Sequence, residues 1–150
     1  NLNIALRQHS REQVIHDGMD IAFCVLNYKK YELYYAGAYN PLWIVKNDKS
    51  LLEINSDKQP IGSFPNQKPF TNHTVKLEKG DTVYLFTDGY ADQFGGLKGK
   101  KFKYKQMQQL LLSIHNKPMD EQKNIMEETI NNWKGNLEQV DDILVIGVRM

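Results

Sequence analysis

The stretch Tyr84–Gly96, YLFTDGYADQFGG, changes character at its fifth residue. Tyr84-Leu85-Phe86-Thr87 reads as a buried strand, and the strand stops at Asp88-Gly89. A strand end presents a side chain on a rigid mount, and Gly89 permits a sharp turn and the close approach of a ligand. EQVDDILVIGVRM, at the C-terminal end, repeats the arrangement: Asp141 and Asp142 stand just before another apolar strand. Neighbouring strand residues face opposite ways, so only one of Asp141 and Asp142 is expected to share a site with Asp88. Convergent carboxylates repel one another unless a cation lies between them. Hard oxygen donors without His or Cys select magnesium or manganese rather than zinc. The residues alone leave a plainer reading open, because Asp-Gly is a common turn dipeptide and an Asp pair can be simple solubilising charge.

Working outward, MDIAFCVLN and YELYYAGA are strand-like and are separated by the polar break Asn27–Lys30, as in a hairpin. PLWIVKN and SLLEI are two further strands, followed by the irregular NSDKQPIGSFPNQKP. FTNHTVKL and DTVYLFT are joined by a turn at Glu78-Lys79-Gly80. The period then lengthens. Met107, Leu110, Leu111 and Ile114 form one helical stripe, and Met119, Met126, Ile130 and Trp133 form another. The second helix is expected to be capped by Asn116, to start near Pro118 and to end at Gly135. ILVIGVRM closes the chain as a strand. A meander of strands, two helices and a last strand define an α+β fold with helices on an antiparallel sheet.

At 150 residues, 41% hydrophobic and 25% charged, the chain has the size and composition of one globular domain or most of one. A formal net charge of +1 implies no strong attraction to nucleic acid or acidic lipid. Lys98, Lys100, Lys101, Lys103 and Lys105 are locally dense, which fits a solvated loop or a phosphate-attracting patch. The single cysteine, Cys24, lies in the apolar run IAFCVL and reads as a buried structural thiol; a disulfide framework is excluded, and a reducing cytoplasm is the expected location. No apolar run reaches the roughly 18 residues of a membrane span. His9, His16, His73 and His115 lack ligand spacing and read as surface or loop residues. GLKGKK lacks the spacing of a phosphate-binding loop, and no Gly-x-Ser-x-Gly elbow is present. NLNIALRQ reads as the middle or end of a helix, so the chain is expected to be a piece of a longer protein.

Taken in order, LYYAGAYNPLWIV, DKQPIGSF, VKLEKGDTVYLFTDGYADQFGG, KKFKYKQMQQLLL and WKGNLEQVDDILVIGVRM resemble the bacterial PPM-type, stage II sporulation protein E-like serine/threonine phosphatase domain. The resemblance runs from about Gly18 to Met150. It implies a sandwich of two antiparallel sheets flanked by helices, with a centre of two manganese or magnesium ions. Asp88 and Asp141 are implied as ligands of one metal, with Gly89 and Asp142 in supporting positions. The implied reaction is hydrolysis of phosphoserine or phosphothreonine on a regulatory protein, as in anti-sigma antagonist signalling. Water made acidic by the metals attacks phosphorus in line, without a covalent enzyme intermediate.

The chain departs from the family pattern at its start. The earlier acidic motifs that supply the metal-bridging Asp are missing, and Asp17, Gly18 and Asp20 do not replace them. Residues 1–150 are therefore expected to be the C-terminal part of one catalytic domain. The parent chain is expected to hold the missing strands and an upstream sensor region, which a membrane anchor could carry. The 150 residues alone are expected to be inactive and to self-associate through an open sheet edge. A non-catalytic, phosphatase-like binding module is the alternative. A haloacid-dehalogenase-type reading fails because Phe86 stands where that chemistry needs an Asp.

Overall fold

The computed structural model describes residues 18–62 and 66–150. The helix expected over NLNIALRQ lies outside the described residues. In chain order the elements are β1 (Gly18–Met19), β2 (Ile21–Asn27), β3 (Glu32–Ala38), β4 (Leu42–Val45), β5 (Leu51–Ile54), β6 (Ile61–Gly62), β7 (His73–Lys76), β8 (Thr82–Phe86), α1 (Gly89–Asp92), β9 (Phe94–Gly95), β10 (Lys100–Lys101), α2 (Tyr104–Ile114), α3 (Met119–Lys134) and β11 (Val145–Arg149). The fold is mixed α+β with antiparallel sheets, as the sequence predicts. The described residues form two compact units, one of residues up to Leu42 with Ile54–Lys76, the other of Trp43–Glu53 with Leu77–Met150.

The first unit is built on the sheet β2-β3-β7. β2 is an edge strand of period two: Phe23 and Val25 are exposed, while Cys24 and Leu26 are half-buried. Cys24 is thus a partly covered thiol rather than a fully buried one, and burial raises its pKa. Two of the motifs that carry the resemblance meet in this unit. The Asp57 amide donates to the Gly37 carbonyl and the Tyr39 amide donates to the Asp57 carbonyl, each at 3.0 Å. The Asp57 carboxylate accepts the Thr71 amide (2.7 Å) and hydroxyl (3.0 Å). Buried Gln59 exchanges hydrogen bonds with the backbone of Lys68. The irregular stretch is therefore held by side chains that replace ladder hydrogen bonds. His73 opens β7, within the strand expected over FTNHTVKL, and is half-buried with its ring 5.8 Å from that of Tyr35.

The second unit is built on the sheet β11-β8-β4-β5. Its core joins Trp43, Val45, Tyr84 and Phe86 of the sheet to Met107, Leu111 and Ile114 of α2 and Met126 and Ile130 of α3. Both helical stripes thus reach the core, with Leu110 and Trp133 partly buried against it; Met119 is half-buried and lies outside the cluster. Aromatic rings run through this core: Trp43 lies 4.2 Å from Phe86, and Phe102 stands edge-on to both Tyr90 and Trp133 at 5.3 Å. The N-cap of α3 is Pro118 rather than Asn116. Proline, already fixed in φ and lacking an N–H, enters a helix without losing a bond there. Gly135 ends the helix with φ 56°, as expected. The α3 stripe also includes Gln122, a buried polar residue. Its amide donates to the carbonyls of His115 (3.2 Å) and Lys117 (3.0 Å) and accepts the Tyr84 hydroxyl. Arg149 of β11 donates to the same two carbonyls and to the Thr82 hydroxyl. Burial pushes the Tyr84 phenol up to about 12. No helix among the described residues is long and apolar enough to cross a membrane.

Candidate active site

Strand β8 ends at Phe86, and Thr87 and Gly89 beyond it meet the segment that precedes β11. The Thr87 amide donates to the Leu144 carbonyl at 3.0 Å. The Thr87 hydroxyl donates to the Asp142 carbonyl (2.8 Å) and accepts the Leu144 amide (3.0 Å). One threonine therefore satisfies three backbone groups of the chain across from it.

Gly89 completes the junction. A Cβ at this position would lie 2.4 Å from the Asp142 carbonyl oxygen, closer than any real contact. The glycine makes room for the Asp142 backbone, where the sequence suggested a sharp turn and room for a ligand. The Thr-Asp-Gly corner and the Asp-Asp segment are thus joined through backbone, by residues that the sequence did not single out for the purpose. Thr87 was the residue missed, and its place directly beside Asp88 was the available signal.

Asp88 occupies the N-cap of α1 but makes no capping hydrogen bond with its side chain. It is exposed, and the Asp92 amide donates to its carbonyl at 2.9 Å. Tyr104 registers the local field. Burial first, then the negative charges of Asp88, Asp92 and Glu53, raise its pKa. Glu53 is engaged elsewhere, accepting from the Trp43 indole (2.8 Å) and Gln108 (3.1 Å).

Asp141 and Asp142 are both exposed and lie before β11, which begins at Val145. The strand alternation expected to separate them does not apply, because neither is in the strand. What separates them is bonding. The Asp141 carboxylate accepts the amide of Asp142 at 2.7 Å, and Gln139 donates to the Asp141 carbonyl at 2.9 Å. Asp142 contributes its backbone carbonyl to the Thr87–Gly89 junction.

The donor set has the chemistry of a hard-cation site: carboxylate oxygens, with an Asp88 side chain not used as a cap. No group of three or more His, Cys, Asp or Glu residues able to hold a metal occurs among the described residues. Asp88 and Asp141 offer oxygen donors of the kind magnesium and manganese take, without a closed coordination shell among the described residues. A separate groove of about 710 Å³, lined by residues such as Met119, Met126, Ile130, Val145 and Ile146, includes none of Asp88, Asp141 and Asp142.

The fold is that of solved phosphatase domains of the PP2C type. The solved PP2C domain of SiaA from Pseudomonas aeruginosa is 26% identical, with a TM-score of 0.88 over 99% of this chain and 57% of its own. The phosphatase domain of SpoIIE from Bacillus subtilis, presoaked in manganese, is 15% identical with a TM-score of 0.68, over 99% of this chain and 62% of its own. RsbX in complex with magnesium is 14% identical with a TM-score of 0.62, over 87% of this chain and 55% of its own. The chain belongs to the stage II sporulation protein E (SpoIIE) family, whose model matches residues 1–150. It spans little more than half the length of the SiaA domain. No curated protein sequence gives a significant match.

Proposed function

We propose that this chain forms part of a metal-dependent protein phosphatase that hydrolyses phosphoserine or phosphothreonine on a regulatory protein. One observation carries the reading: Thr87 and Gly89 fasten the Asp88 corner to the Asp141–Asp142 segment. Those are the two places where the family resemblance puts metal ligands. The structures of SpoIIE presoaked in manganese and of RsbX with magnesium support the choice of cation.

In this reading Asp88 and Asp141 hold manganese or magnesium, and Asp142 supports the site through its backbone carbonyl. A bound divalent cation supplies charge neutralisation at phosphate and lowers the pKa of water. The protein's own part is positional. Rigid backbone at the end of β8 holds Asp88, and the Thr87 hydrogen bonds hold the facing segment against it.

The test uses the full-length protein with p-nitrophenyl phosphate. Hydrolysis with manganese and its loss in EDTA are expected. Calorimetric titration of manganese should show a larger loss of affinity in Asp141→Asn than in Asp142→Asn. Turnover that persists in EDTA, or the reverse order of the two variants, would overturn the assignment.

A further inference from the structure

Four lysines, Lys98, Lys100, Lys101 and Lys103, fall within six residues just after α1. A loop that merely carries solvated charge has no need of fixed backbone. This segment is fixed. Lys100 pairs with Gly95 and Lys101 with Phe94 in the β9–β10 hairpin. The Gly96 amide donates to the Trp133 carbonyl at 2.7 Å, and Gly96 takes φ +65° against the Trp133 ring. A Cβ on Gly95 would lie 1.9 Å from the same carbonyl oxygen, so only glycine lets the hairpin sit this close. The Trp133 indole and the Phe102 amide both donate to the Gln93 carbonyl, and the Lys103 amide donates to the Ala91 carbonyl at 2.7 Å.

The lysines divide by role. Lys101 is committed inward: its ammonium lies 2.7 Å from Asp92 and over the ring of Phe94. Lys98, Lys100 and Lys103 are exposed and make no ion pair among the described residues. Leu97, at the tip, is fully exposed. The base of the arm is tied to the candidate site, because Asp92 pairs with Lys101 and its amide donates to the Asp88 carbonyl.

We infer that the β9–β10 hairpin is a docking arm for an acidic stretch of the phosphoprotein substrate. Lys98, Lys100 and Lys103 face acidic side chains beside the phosphorylated residue, and Leu97 gives one apolar contact. A polypeptide suits the arm better than a membrane or nucleic acid. Three free cations match a few acidic side chains, and a chain of net charge +1 offers no extended basic surface for a continuous polyanion.

The inference rests on the phosphatase reading, and one experiment separates the two. In the full-length protein, Lys98→Glu/Lys100→Glu/Lys103→Glu is compared with the corresponding Gln triple variant and the unaltered chain. The substrates are p-nitrophenyl phosphate and two phosphoserine peptides, one flanked by Asp and Glu, the other by Lys. Reversing three exposed charges should raise KM for the acid-flanked peptide about tenfold, with the Gln variant between, and addition of salt should erase the difference. kcat, and turnover of p-nitrophenyl phosphate, should not change, and the Lys-flanked peptide should gain. Unchanged KM for the acid-flanked peptide, or an equal loss with p-nitrophenyl phosphate, would overturn the arm. If no phosphoester is hydrolysed at all, the phosphatase reading fails, and fluorescence anisotropy of the acid-flanked peptide then reads the arm alone. Peptide binding that ignores the lysines, or lysine-dependent binding to phosphatidylserine vesicles in its place, would also overturn it.

Discussion

Asp81 and Asp88 flank the same strand, β8, and their surroundings differ in every respect. Asp81 is buried, and its carboxylate accepts the Lys46 ammonium (2.6 Å) and the amides of Asn47 (3.1 Å) and Glu78 (2.8 Å). Asp88 is exposed and caps nothing. A carboxylate whose oxygens are fully engaged by the protein is a structural clamp. One left exposed past a strand end, with no capping bond, has oxygens open to solvent. The contrast shows why residue type alone could not separate a turn aspartate from a ligand: the difference lies in partners, not in the side chain.

The sharpest way to break the comparison is to neutralise each carboxylate in turn. Asp88→Asn should lower manganese-dependent turnover by about 100-fold or more, since it removes electrostatic stabilisation without changing shape. Its melting temperature should stay unchanged, and a normal turnover would remove Asp88 from the site. Asp81→Asn should do the opposite. Breaking a buried ion pair leaves Lys46 without its partner and should cost about 3 kcal/mol in urea unfolding. Activity per folded molecule should survive. If both variants lose stability alike, the division into clamp and ligand is wrong.

Two smaller effects sharpen it. Gly89→Ala places a methyl against the Asp142 carbonyl, and overpacking of that kind costs about 1–3 kcal/mol. Because the displaced backbone belongs to the Asp141–Asp142 segment, manganese affinity should fall with stability, which calorimetry and thermal melting read together. Thr87→Val keeps the shape and loses the hydroxyl that bridges Asp142 and Leu144. A loss of about 1 kcal/mol is expected by thermal or urea unfolding. A larger loss of activity than of stability would mean that Thr87 acts on the chemistry and not only on the junction.

Much of this was legible in the chain itself. Strand and helix order follow from hydrophobic period, and the four-residue run before Asp88 marks the strand end. The two acidic segments were also picked out. The backbone roles at their junction were not. Gly89 is required by a carbonyl that comes from Asp142, and Thr87 by an amide from Leu144. Local patterns carry no record of such distant partners. The same holds for Gln122, an apolar-stripe position filled by an amide because Tyr84, His115 and Lys117 surround it. The misplaced cap has a local cause: Asn116 is a favoured capping residue, but Pro118 already has the extended backbone from which α3 starts.

The Thr87–Asp142 bond joins residues 55 apart in the chain, and β11 pairs with β8 across still longer intervals, from Phe86–Val145 to Thr82–Arg149. Contacts of such long range form slowly, because the loop must close before any ladder bond compensates its lost entropy. The two acidic segments therefore cannot meet until both helices and the last strand have been synthesised. The junction between them is a late event in the maturation of the chain, and a folding intermediate lacking β11 would hold α2 and α3 with Thr87 still unpartnered.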